Sequence, residues 1–133
     1  MANLNIANDQ LLSNFNERIT ANMKVIASWV DEGTGKRIST NGFTENLGES
    51  GALVNLEKLP PVGSAVKLRI FDEDKMVIEI PTEVIRVERD PAQPLAALNV
   101  VQNMRKWKDV ALTAAQAWAT RHWQLNYEEE WVN

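Results

Sequence analysis

From Met23 to Val101 the chain alternates apolar and polar residues in short runs separated by turn-forming clusters. Met23, Val25, Ala27 and Trp29 occupy every second position and so share one face of a strand over 23–30. Asp31-Glu32-Gly33-Thr34-Gly35 is turn chemistry, and 37–45 reads as a second, more polar strand. Further runs at 52–56, 65–71, 76–88 and 95–101 continue the pattern. In the run at 65–71, Val66, Leu68 and Ile70 alternate with Lys67 and Arg69, which predicts one buried and one wet face. Pro60-Pro61-Val62-Gly63, Phe71 to Lys75 and Asp90 to Pro94 supply the later turns, and Pro81 predicts an edge or a bulge. Strands so spaced predict a small antiparallel barrel or sandwich. Asn41-Gly42 is a strong hairpin signal inside the second strand. It predicts either an extra hairpin or a strand continuing through a glycine bulge.

After Val101 the period changes. From Gln102 to about Leu125 there is no strand alternation, proline or glycine, and the composition is rich in alanine. Met104, Trp107, Ala111, Ala114, Ala115 and Trp118 fall on one helical stripe, which predicts a helix packing its tryptophans over one end of the strand assembly. Tryptophan is also enriched at binding hot spots. Trp123, together with Tyr127 and Trp131 of an acidic aromatic tail (126–133), is therefore a candidate partner surface. Residues 1–17 are polar and asparagine-rich, with one small apolar cluster at Leu11, Leu12 and Phe15, and read as a flexible arm.

A chain of 133 residues, 44% apolar and 24% charged, suits one globular domain, here 18–125. Its net charge of −4 argues against general DNA or RNA binding, although a local basic pocket is compatible with it. The absence of cysteine removes disulfides and thiolate chemistry. No apolar run approaches the ~18 residues that span a bilayer, and Met1 to Gln10 has no secretory pattern. The expectation is a cytoplasmic protein without membrane insertion. His122 is the single histidine and reads as a surface residue. Nothing nominates a base with an oriented nucleophile, so no catalytic residue is assigned. Asp72-Glu73-Asp74 and Glu128 to Glu130 read as solvated charge, so no metal site or cofactor is expected. These features suit a binding module rather than an enzyme.

Ahead of the strand at 52–56 stands Asn46-x-Gly48-x-x-Gly51, and ahead of the first strand stands Arg18. This arrangement resembles the PilZ domain family, with its Asp/Asn-x-Ser-x-x-Gly signature and an earlier Arg-x-x-x-Arg motif. Asn14 occupies the place of the first arginine, and Gly48 that of the serine. In the other register Arg18 is the first arginine and Asn22 replaces the second. The likeness spans roughly 14–120. It implies a mainly β, six-stranded antiparallel split barrel with a C-terminal helix, acting in bacterial second-messenger signalling. The implied ligand is cyclic di-GMP, with Arg18 on a phosphate or guanine, Asn46 on a guanine edge, and Gly48 and Gly51 allowing close backbone approach. Lys24, Lys36 and Arg37 are candidates for extra positive charge. A charged hydrogen bond contributes about 1.5–3 kcal/mol, so the missing arginine predicts roughly 10- to 100-fold weaker binding. Two functions follow from the resemblance. One is an effector with weakened nucleotide binding. The other is a nucleotide-free adaptor for a downstream protein, as in pilus or motility regulation. Read as residues alone, Asn46, Gly48 and Gly51 equally suit a tight turn, and Arg18 a solvated arm or a partner for Glu17.

Overall fold

Inward-facing positions recur along each strand, and the pairing order closes their apolar faces around one core. The computed structural model describes residues 18–132, with side chains described as far as His122. The strands are β1 (Ile19–Thr20), β2 (Lys24–Val30), β3 (Arg37–Gly48), β4 (Gly51–Leu56), β5 (Ala65–Asp72), β6 (Lys75–Glu88) and β7 (Leu95–Val100). A helix follows, made of α1 (Met104–Lys106), a π-helical stretch (Trp107–Leu112) and α2 (Thr113–Val132). Strands β3, β2, β5, β6, β7 and β4 are hydrogen-bonded in that order, and β4 pairs back to β3. The result is a closed six-stranded antiparallel barrel, as the likeness implied, with β1 as an additional strand on β3.

Closure rests on two long strands that serve two neighbours in succession. Residues Arg37 to Phe43 of β3 pair with β2, and Gly42 to Gly48 pair with β4. Likewise β6 passes from β5 to β7, with Thr82 and Glu83 paired to both. Bulges at Glu45, Val77 and Ile85 bend these long strands. Pro81 lies immediately before the β7 pairing begins, where its carbonyl accepts the Val101 amide at 3.2 Å and its own lack of an N–H falls at the end of the ladder. Inside, Met23, Val25, Ala27 and Trp29 meet Val66, Leu68, Ile70, Ile78 and Ile80.

The Asn41-Gly42 signal forms no hairpin. Gly42 lies within continuous β3, paired to Val25 on one side and Leu56 on the other. A Cβ there would stand 1.8 Å from the carbonyl oxygen of Asn55, so glycine is required by the approach of β4. The bulge falls at Glu45 rather than at the glycine. The helix begins at Met104 rather than Gln102 and runs past Leu125 to Val132, so the backbone of the expected tail is largely helical. Trp107, Ala111 and Ala115 enter the core and Trp118 is half-buried, whereas Met104 leaves the expected stripe and is exposed.

Candidate functional site

The chain between β1 and β2 is stitched to β3 by one threonine. The buried Thr44 hydroxyl donates to the Ala21 carbonyl and accepts the Met23 amide at 2.9 Å. The Asn22 side-chain amide donates to the Thr44 carbonyl at 2.9 Å. These bonds bridge the gap between the two strands, and β1 then pairs Ile19 with Leu47 and Thr20 with Asn46. Arg18, at the head of β1, is thereby delivered to the end of β3. Its Nη1 lies 2.8 Å from the point a Cβ on Gly48 would occupy. The guanidinium thus fills space that a serine side chain would contest.

Gly48 and Gly51 pair across a two-residue turn, Glu49-Ser50. A Cβ on Gly51 would meet the Leu98 carbonyl oxygen at 2.0 Å, so its missing side chain also serves the packing of β4 on β7. Asn46 lies two residues before Gly48, on the outer side of β3, while Leu47 between them points into the core. Its Oδ1 is buried and accepts no hydrogen bond among the described residues. Leaving such an acceptor unpaired costs about 1–3 kcal/mol, which an ordered water or a bound group would offset.

The helix closes the other side. Trp107 is 0% exposed, and its indole N–H donates to the Gly48 carbonyl at 2.8 Å. Arg18, Gly48, Glu49, Ser50, Met104 and Lys108 together line a cavity of about 280 Å³. Two cations and one carboxylate face it, a net positive local charge on a chain whose total is −4. The structure therefore brings Arg18 to the 48–51 bend. Asn46 does not line the cavity. Lys24 sits 5.8 Å from the Phe71 ring centre, and neither it nor Lys36 or Arg37 lines the cavity. Asn14 lies outside the described residues, as do the side chains of Trp123, Tyr127 and Trp131. Lys108 was not among the residues nominated from sequence. The available signal was Arg105, Lys106 and Lys108 gathered at a helix start, where the helix dipole disfavours cations.

Fold and site define a small closed antiparallel barrel whose β3–β4 hairpin is overlaid by an arginine at the head of β1. The PilZ domain family matches residues 15–106, and the chain belongs to this family. The PilZ domain of YcgR from Escherichia coli, with c-di-GMP, is similar at a TM-score of 0.58 and 10% identity, covering 84% of this chain and 94% of that one. YcgR from the same organism, in complex with c-di-GMP, gives 0.51 at 12% identity, covering 85% of this chain and 46% of that one. The chain thus spans about half the length of that YcgR structure. At these identities the likeness establishes the fold. No curated protein matches the chain in sequence. Among the described residues no helix is long and apolar enough to cross a membrane.

Proposed function

We propose that this PilZ domain is a non-catalytic cytoplasmic effector that binds cyclic di-GMP weakly at the cavity between Arg18 and the Gly48–Gly51 hairpin. The observation that carries the reading is the guanidinium of Arg18 lying against Gly48, so that the separated halves of the resemblance meet at one place. A guanidinium offers a planar fork to a phosphate and a flat face to a guanine. Asn46, two residues before Gly48 on β3, reaches a guanine N–H only if its side chain turns outward, since its oxygen is buried and does not line the cavity. Calorimetric titration of cyclic di-GMP into the pure protein at high micromolar concentration tests the reading. Weak saturable heat is expected, and Arg18→Ala is expected to lower affinity roughly 10- to 100-fold. A flat trace for the unaltered protein, beside a competent control, refutes nucleotide binding.

One observation favours a second reading. Arg18 already occupies the space above Gly48, and the serine hydroxyl of the family signature is missing there. In this reading the barrel is an adaptor, and the helix with Trp123, Tyr127 and Trp131 carries the partner surface. A pull-down with Trp131→Ala separates the readings, since loss of a partner together with a flat titration supports the adaptor.

A further inference from the structure

The cationic side of the cavity is built from two ends of the chain. Arg18 reaches it from β1, and Lys108 reaches it from the π-helical stretch. Lys108 adjoins Trp107, whose indole N–H is fixed to the Gly48 carbonyl, so the backbone that carries the lysine is held to the same hairpin. Met104, four residues earlier, lines the cavity as well. In an α-helix residues four apart drift by about 40° around the axis. A π turn is wider, which brings such residues closer to alignment. The π-helical stretch thus lets Trp107 and Ala111 stay buried in the core while Met104 and Lys108 both face the cavity.

The charge pattern points the same way. Arg105, Lys106 and Lys108 stand in the first turns of the helix, where the dipole opposes positive charge. Arg105 is within 4.0 Å of Asp109, whereas Lys108 has no ion pair among the described residues. Glu49 is the one carboxylate among the residues that line the cavity. A phosphate bound in the cavity would have two charged donors, Arg18 and Lys108, in its lining. The Ser50 hydroxyl stands at the same cavity as a further donor.

We infer that Lys108 is the second cation of this site and holds a phosphate group of the ligand jointly with Arg18. It does so from the C-terminal side of the domain, in a chain that has Asn14 where the family's first arginine would stand. The inference rests on the cyclic di-GMP reading for the identity of the ligand, but not for the phosphate. Lys108 is exposed, so its replacement leaves the core untouched.

The test uses the full chain and two probes, cyclic di-GMP by calorimetry and inorganic pyrophosphate by amide chemical-shift mapping. Lys108→Ala is expected to weaken cyclic di-GMP binding about 10-fold or more, and Lys108→Arg to retain it within about 3-fold. Lys106→Ala, an exposed neighbour that does not line the cavity, is expected to change nothing. Pyrophosphate is expected to shift the amides of residues 18, 48–50 and 108 together, and those shifts are expected to vanish in Lys108→Ala. Nucleotide binding undiminished in Lys108→Ala overturns the inference and leaves the effector reading standing. Pyrophosphate shifts that depend on Lys108, with no nucleotide binding, overturn the effector reading and support the anion site. Silence with both probes overturns both.

Discussion

Replacing Gly42 by alanine is expected to lower stability by about 3 kcal/mol or more, and the melting temperature by roughly 10 °C or more for a domain of this size. A Cβ at Gly42 would lie 1.8 Å from the Asn55 oxygen, 2.8 Å from its carbonyl carbon and 3.0 Å from the Leu56 Cα. All three are backbone atoms of β4 and its pairing, so no side chain can swing aside. Relief requires β3 and β4 to separate at the point where β3 changes partner from β2 to β4. The barrel would open along that seam. Gly33→Ala is the matching control, because a Cβ there meets only the Asp31 carboxylate at 3.6 Å. That change is expected to stay within about 0.5 kcal/mol. Urea unfolding of both variants decides the matter, and equal midpoints would show that the seam yields.

The second large effect belongs to Trp107. Trp107→Ala removes the largest fully buried side chain and is expected to destabilise by about 3–5 kcal/mol. Trp107→Phe isolates the polar part. It keeps an aromatic ring in the core but deletes the indole N–H, leaving the buried Gly48 carbonyl without that donor. An expected loss of about 1–3 kcal/mol follows, with amide shifts centred on residues 48–51 rather than along the helix. Unfolding midpoints and amide spectra of the two variants check this. A Phe variant as stable as the parent would reduce Trp107 to a space-filling role.

The barrel was legible because period-two alternation and turn chemistry are local. Met23 to Trp29 and Val66 to Ile70 announce their inward faces without help from the rest of the chain. The short β1 was not legible. Two residues carry no periodicity, and the strand exists because Thr44 holds the chain against the later half of β3. Asn41-Gly42 misled for a related reason. The dipeptide favours a turn locally, yet its glycine answers to a strand more than ten residues downstream. At the site, Arg18 and the 46–51 bend could be paired from the family resemblance, and the structure brings them together. Met104 and Lys108 could not, since helical spacing alone assigns Met104 to the buried stripe. The π-helical stretch that turns it away has no mark in the sequence.

The stretch matched to the family ends at residue 106, one position short of the indole that plugs the barrel mouth. An excised fragment trimmed to that boundary would be a cask without its bung. Its hydrocarbon lining would be open to water at one end, and the hairpin would lose its tether. For this chain the smallest self-sufficient unit is expected to extend at least through Ala115, the last helical residue sunk into the interior among those described.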